Sequence, residues 1–341
     1  MKETILVAGG AGYIGSHTTV ELVEAGYDVV IVDNLSNSTV EAVEGVRKIT
    51  GVDVPFAQVD CCDLAAFEEV FKSYNFNSAI HFAASKAVGE SVHKPLEYYS
   101  NNLVSLMNLI ALMRKYDRPN VLFSSSCTVY GEPDAQPVTE QTPRKPALSP
   151  YGNTKTMSED ILRDSMNVYE GMKGIALRYF NPIGAHPSAL IGELPQGVPQ
   201  NLLPYVTQTA AGLRECLSVF GDDYDTPDGS CIRDYIDVVD LAKAHVIAVK
   251  RMISGASKAD YEIFNIGTGN GVSVLELINC FERVNEVKIP YKIVPRREGD
   301  ITAIWADPSR ANNELGWKAT RSLDQTLAAA WAWEKRVRKI E

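Results

Sequence analysis

Through the first half of the chain, short apolar runs alternate with longer segments whose apolar residues recur at helical spacing. ILVAGG, DVVIVDN, VPFAQVD, AIHFAA, NVLFSSS and GIALRYF read as strands. Between them, residues 12–26, 36–50, 64–74, 95–116 and 149–170 read as helices. The strands are apolar on both faces, which suits a parallel sheet covered by helices on each side. The expected fold class is therefore α/β with a doubly wound parallel sheet. Past Asn181, Pro, Gly and Asn punctuate NPIGAHPSALIGELPQGVPQNLLPY, predicting a smaller C-terminal α/β lobe. DYIDVVDLAKAHVIAV and EIFNIG, around 234–267, read as one more helix and strand returned to the main sheet. The expected division is 1–181 for the first domain, with 234–267 returning to it, and 182–341 for the lobe.

A chain of 341 residues is long for one core and comfortable for two packed domains. A formal charge of −10 argues against a nucleic-acid or anionic-membrane surface, since either requires a basic face. An anionic small molecule remains possible, because it needs only a few local cations. No apolar run reaches membrane-spanning length and MKETILVAGG has no signal-peptide layout, so the cytoplasm is the expected compartment. Six cysteines show no CxxC, and five histidines lack metal-ligand spacing. The thiols are expected to be reduced, and no metal is expected.

After the first strand, GGAGYIGSH places Gly9, Gly12 and Gly15 three residues apart where a helix begins. Residues without side chains let the backbone turn tightly and let a pyrophosphate approach unpaired helix N–H groups. The second strand ends in Asp33, whose carboxylate suits two ribose hydroxyls and repels a 2′-phosphate; no Arg or Lys follows until Arg47. The pattern selects NAD over NADP.

Two segments match Tyr-x-x-x-Lys: Tyr151/Lys155 and Tyr169/Lys173. The second is interrupted by Gly171 and Gly174 and reads as a surface pair. The first opens a helix behind Pro150, with both side chains on one face. Ser124, Ser125 and Ser126 leave the end of a buried strand, the edge where open α/β sheets bind ligands. Lowering a phenol's pKa by about three units requires roughly 4 kcal/mol. One ammonium about 5 Å away supplies about 3 kcal/mol at an effective dielectric of about 20, and a cationic nicotinamide can supply the rest. Tyr151 then removes a hydroxyl proton while Ser126 holds the same oxygen. Between Gly131 and Tyr151, a stretch with five prolines reads either as a functional loop or as a stiffened connection.

These residues resemble the extended short-chain dehydrogenase/reductase superfamily and, within it, the UDP-glucose 4-epimerase (UDP-galactose 4-epimerase) family. The similarity runs through GGAGYIGSHT, VDNLSNS, HFAASKAVGESVHKPLEYYSNN, FSSSCTVYG, SPYGNTK, LRYFNPIGAHPS, IRDYIDVVDLA and PRREGD. It implies a Rossmann domain holding NAD, a UDP-sugar lobe and a homodimer joined through helices of the first domain. It also implies a hidden redox cycle in which C4 of the sugar is oxidised to a 4-keto intermediate and the hydride returns to the opposite face.

By the resemblance, Tyr151 is the base, Lys155 its ribose-binding partner and Ser126 the hydroxyl ligand. NAD is expected against Gly9, Gly12, Tyr13, Ile14 and Gly15, with Asp33 and Asn34 at the ribose and Asp60 and Cys61 at the adenine. Phe82, Lys86, Asn101 and Tyr179 complete that set. The UDP-sugar is expected against Lys86, Asn181, Asn201, Leu202, Phe220, Arg233, Arg297 and Asp300, together with Ser126 and Tyr151. Without the resemblance, Arg296, Arg297, Glu298 and Asp300 would read as a surface ion-pair cluster. Related 4,6-dehydratases carry acids directly after the catalytic Ser or Thr, whereas Cys127 and Thr128 stand here. Cys127 also replaces the family's small alanine. Ile304 takes the position of the gate beside the sugar's C2 substituent and is intermediate in size. UDP-glucose and UDP-galactose are the expected main pair, with slower action on N-acetylhexosamines. The competing readings are an NAD-dependent nucleotide-sugar enzyme with net oxidation and a catalytically silent NAD-binding regulator.

Overall fold

The computed structural model describes residues 2–297 and 299–340; Glu298, one member of the expected ion-pair cluster, lies outside the described residues. The first half alternates β1 (Thr4–Ala8), α1 (Tyr13–Glu24), β2 (Asp28–Asp33), α2 (Val40–Thr50), β3 (Phe56–Gln58), α3 (Leu64–Ser73) and β4 (Ser78–His81). It continues with α4 (Val88–His93), α5 (Pro95–Lys115), β5 (Asn120–Ser126), α6 (Pro150–Val168) and β6 (Lys173–Tyr179). The second half holds β7 (Asn181–Ile183), α7 (Leu202–Ala210), β8 (Leu217–Phe220), β9 (Ile232–Arg233), β10 (Tyr235–Asp237) and α8 (Val238–Ile253). After these come β11 (Tyr261–Ile266), β12 (Val272–Ser273), α9 (Val274–Asn285), β13 (Tyr291–Val294), β14 (Ala303–Ile304) and α10 (Leu323–Arg338).

Seven strands form one parallel sheet in the order β11-β6-β5-β4-β1-β2-β3. Alternation along β1 sends Ile5 and Val7 to one core and Leu6 and Ala8 to the other, so the strand is apolar on both faces. The first core packs beneath α1 and α8, and the second takes Phe67 from α3 and Leu106 and Leu109 from α5. A third core, with Leu203, Leu277, Phe281 and Leu327, joins α7, α9 and α10. The run EIFNIG becomes β11 and pairs with β6 at the sheet edge. Chain order reverses between β1 and β4, which opens a crevice at the carboxyl ends of the strands.

Two helix boundaries differ from the sequence reading for local reasons. Helix α2 starts at Val40, because Asp33 accepts from the Leu35 amide (2.9 Å) and the Ser38 hydroxyl (2.8 Å) and holds the preceding residues in a turn. The short helix α4, unread in the sequence, ends where Pro95 opens α5. The proline-rich loop before α6 is tied down: Val138 exchanges backbone hydrogen bonds with Trp305 and Asp307 (3.0 and 2.8 Å).

His17, His81 and His245 are fully buried, and burial pulls their pKa values from 6.5 to about 3, 3 and 4. The unfolded chain therefore binds more protons below about pH 6.5, and stability is lost as pH falls toward 4. Glu21, raised to about 7 by burial, acts in the opposite sense, as do Glu140 and Asp234, also raised by burial, while His186, lowered by burial, adds to the three imidazoles. Tm is expected to fall steadily from pH 6.5 to 4 in thermal melts at fixed ionic strength. A constant Tm across that range would contradict the assignment of neutral imidazoles.

Candidate active site

The site is assembled at the carboxyl ends of β1, β4, β5 and β6. Gly9 leaves β1 with φ +81°, and a side chain there would meet the Ala83 amide nitrogen at 2.7 Å. Gly12 caps α1 without a side-chain hydrogen bond, which leaves the helix N–H groups of Tyr13 and Ile14 facing outward. Gly15 packs against the Gly9 carbonyl so closely that a Cβ would lie 2.2 Å from it. This is the cradle that a dinucleotide pyrophosphate fits.

Asp33 ends β2 and spends part of its carboxylate on the Ala11 amide (3.1 Å), which fixes the glycine loop to the second strand. Asn34 donates to Asp60 at 3.1 Å, and Asp60 in turn accepts the Cys62 amide at 2.8 Å, with Cys61 buried between them. Asn101 bonds Asn102 at 3.0 Å; Asn102 ties the segment after β4 to Thr154 of α6 at 3.0 Å. Phe82 packs on the His245 ring at 4.9 Å, and His245, whose Nδ1 donates to the Leu241 carbonyl, accepts from the Tyr179 hydroxyl at Nε2.

Tyr151 sits in the first turn of α6, whose N-terminus Ser149 caps by accepting the Gly152 amide at 3.1 Å. Pro150 at the helix start and the serine cap together aim Tyr151 at the end of β5, where Ser126 lies. Burial raises the Tyr151 pKa to about 12, while the Ser126 hydroxyl beside it pulls the other way. Lys155 is 4 % exposed, its ammonium hydrogen-bonded to the Ser124 carbonyl at 2.7 Å and 5.8 Å from the Tyr151 ring centre. Burial lowers Lys155 to about 7, with Glu159 opposing. Burial thus opposes the acidification of Tyr151 expected from Lys155 together with a cationic nicotinamide.

Across the crevice, Asn181 begins β7 with its Oδ1 buried and unpartnered among the described residues, the condition of an acceptor kept for a ligand. Arg297 forks onto Asp300 (2.7 and 3.2 Å) and stands over the Phe220 ring at 5.5 Å; Arg233 approaches Asp300 at 3.7 Å. Arg296 turns away, onto Asp223 and the Tyr224 ring, so only one of the adjacent arginines joins this group. Asn201 caps α7, whose first residue is Leu202, and donates to Glu193 at 2.7 Å; Lys86 reaches the same Glu193 oxygen at 2.8 Å. Glu193, absent from the sequence reading, holds two expected ligand contacts together across the crevice. Ile304 is 2 % exposed and packs with Cys127, Val129 and Phe180 as an apolar floor beside Ser126.

Residues 6–330 match the family described as GDP-mannose 4,6 dehydratase. A UDP-glucose 4-epimerase of Dictyostelium discoideum is 51 % identical over 98 % of this chain and 96 % of its own length. The chain belongs to the UDP-glucose 4-epimerase family. The crystal structure of the Bifidobacterium longum UDP-glucose 4-epimerase in complex with NAD+ and UDP is 48 % identical, covers 99 % of this chain and 100 % of its own, and superposes with a TM-score of 0.95. The Stenotrophomonas maltophila structure, with bound NAD and formylated UDP-arabinopyranose, is 44 % identical over 99 % of this chain and 100 % of its own, with a TM-score of 0.96. Full-length similarity at this level confirms the α/β Rossmann architecture.

Proposed function

We propose that the chain interconverts UDP-glucose and UDP-galactose by transient oxidation at sugar C4. The observation that carries this reading is the meeting of Tyr151, Ser126 and Lys155 at the end of β5, facing a glycine cradle on one side and the Asn181–Arg233–Arg297 group on the other. The glycine loop, Asp33, Asp60 and Phe82 would hold NAD, which when bound supplies a hydride acceptor and a positive charge near the phenol. Tyr151 as phenolate takes the O4 proton, C4 loses its hydrogen with the bonding pair, and the C4–O bond becomes a carbonyl. After the 4-keto sugar turns in the site, C4 regains that hydrogen on its other face and Tyr151 returns the proton to O4. Ser126 hydrogen-bonds the same oxygen throughout. Lys155 binds ribose hydroxyls and favours the phenolate.

Arg233 and Arg297 suit the UDP pyrophosphate as bidentate donors, and Asp300 suits the ribose hydroxyls. Their present mutual pairing is a surface ion pair that the ligand exchanges for its own oxygens. Residues 1–181 and 234–267 form the NAD-binding domain in this reading, and the remainder of 182–341 the UDP-sugar lobe. Ile304, packed against Cys127, leaves UDP-glucose and UDP-galactose the main pair, with slower turnover of UDP-N-acetylhexosamines. Exposed apolar side chains on α4, α5 and α6 (Val92, Leu96, Met107 and Met157) support a homodimer through these helices. No helix among the described residues is long and apolar enough to cross a membrane, and the assigned compartment is the cytoplasm.

Purified protein given UDP-galactose, with no added NAD, is expected to form UDP-glucose without reduced cofactor accumulating. NADH rising in step with product would replace the proposal by net oxidation, and no turnover with cofactor bound would favour the silent regulator.

A further inference from the structure

Beneath the Tyr151–Lys155 pair lies an ion pair that the reaction above leaves unused. Glu159, one turn after Lys155 on α6, is 1 % exposed, and Arg178, on β6, is 2 % exposed. The guanidinium grips both carboxylate oxygens, Nε donating to Oε1 at 2.8 Å and Nη2 to Oε2 at 2.6 Å. The Ser125 hydroxyl donates to Oε1 at 2.5 Å, and Ser125 is the cross-strand neighbour of Arg178. The remaining guanidinium nitrogen donates to the Tyr130 hydroxyl at 3.0 Å, and Tyr130 donates to Asn265 at 2.6 Å.

Two arms of this cluster end on elements that carry a reacting group. Strand β5 ends in Ser126, and Tyr130 closes the 3₁₀ turn that follows it. Helix α6 carries Tyr151 and Lys155. Its ammonium and its carboxylate grip consecutive residues of β5, Ser124 and Ser125. A buried ion pair is a poor way to gain stability, because apolar residues of similar volume generally do as well. Four directional contacts converging under a proton-transfer pair suit positioning better.

We propose that Glu159 and Arg178 are positioning residues for the Tyr151–Lys155 pair: the cluster locks α6 onto β5 and β6 so that Tyr151 faces Ser126. The other titratable groups facing this pair are His81 from β4, Tyr98 from α5, Cys127 from the turn after β5, and Tyr179 from β6. Around Glu159 stand Arg144, 3.7 Å away, and Tyr261 of β11, and Glu140 lies beyond Tyr130. Among these, Glu159 is the carboxylate whose charge acts on Lys155.

The inference rests on the proposed reaction only for the role of Tyr151. Its test is the ionisation of Tyr151 in the NAD-loaded protein, read as the phenolate ultraviolet difference spectrum between each form and the same form carrying Tyr151→Phe. Glu159→Gln keeps the shape and leaves the Arg178 charge uncompensated, so the midpoint is expected to fall by about one pH unit. Arg178→Gln leaves the carboxylate in excess, so the midpoint is expected to rise by a similar amount. In both, kcat at neutral pH is expected to drop about tenfold. A pair that merely stabilises the fold would lower Tm and shift the midpoints through its charge alone, while kcat measured at each form's own pH optimum stayed at the wild-type level, which would overturn the proposal. Should either single variant fail to fold, Glu159→Met with Arg178→Met removes both charges at similar volume. That double variant is expected to show a midpoint above wild type, because Lys155 loses the carboxylate that favours its charge, and about tenfold lower kcat; wild-type values in both would also overturn the proposal. Midpoints that shift as stated in a protein inactive on UDP-galactose would sink the substrate assignment and leave this inference standing.

Discussion

Replacing Tyr151 with Phe is expected to lower kcat by about three orders of magnitude while NAD remains bound at the wild-type level. The ring is half-buried at the N-terminus of α6, and removing one oxygen leaves its packing intact. What disappears is the only phenol that Pro150 and the Ser149 cap aim at Ser126. No neighbour can substitute as the base. The Tyr179 hydroxyl is engaged by His245, and burial holds the Cys127 thiol up near 12. The Lys155 ammonium is already bonded to the Ser124 carbonyl at 2.7 Å. The measurement is kcat for UDP-galactose conversion alongside the quantity of NAD released on denaturation. Unchanged turnover would remove Tyr151 from the mechanism; lost cofactor with lost turnover would show instead that the hydroxyl serves binding.

The features legible in the sequence are those written within about thirty consecutive residues. Two-faced apolar runs announce the parallel sheet, because β1 must feed cores on both sides of it. The glycine loop and Asp33 are readable for the same reason: one βαβ unit brings them together, and the Ala11 to Asp33 hydrogen bond closes it. Tyr151 and Lys155 share a helix face by spacing alone. Contacts made by distant segments left no such trace. Glu193 meets Lys86 and Asn201 through the return of the lobe over the crevice, and nothing in GELPQG marks that carboxylate. Arg296 and Arg297 are adjacent and chemically identical, and only the fold decides which faces Asp300. The direction of the Lys155 ammonium was likewise invisible, since helical spacing fixes a face and leaves the side chain's partner to the strand beneath it. Glu159 had a usable signal: an acid four residues after an expected catalytic lysine lies on the lysine's face.

Replacing Gly15 with Ala is expected to abolish NAD retention, with bound cofactor falling below about one-tenth of the wild-type level. The added methyl would lie 2.2 Å from the Gly9 carbonyl oxygen and 2.8 Å from the Gly10 Cα, both backbone atoms. Side-chain rotation relieves neither contact, so α1 and the loop must separate. Separation is resisted from below, because Gly10 already abuts Ile31 of β2 and the Gly9 amide bonds the Val32 carbonyl at 2.7 Å. The N-terminus of α1 therefore moves outward, into the space a pyrophosphate needs, and the N–H groups that would bind it lose their aim. Gly89, whose added methyl would meet only the Gln200 amide oxygen at 3.7 Å, provides the control: Gly89→Ala is expected to keep wild-type cofactor content. Cofactor content per chain, read after denaturation, and turnover of UDP-galactose with saturating added NAD separate a weakened site from a destroyed one. A Gly15→Ala protein that carries one NAD per chain would show that the close packing of helix against loop is incidental, and the dinucleotide cradle would have to be sought elsewhere along the sheet edge.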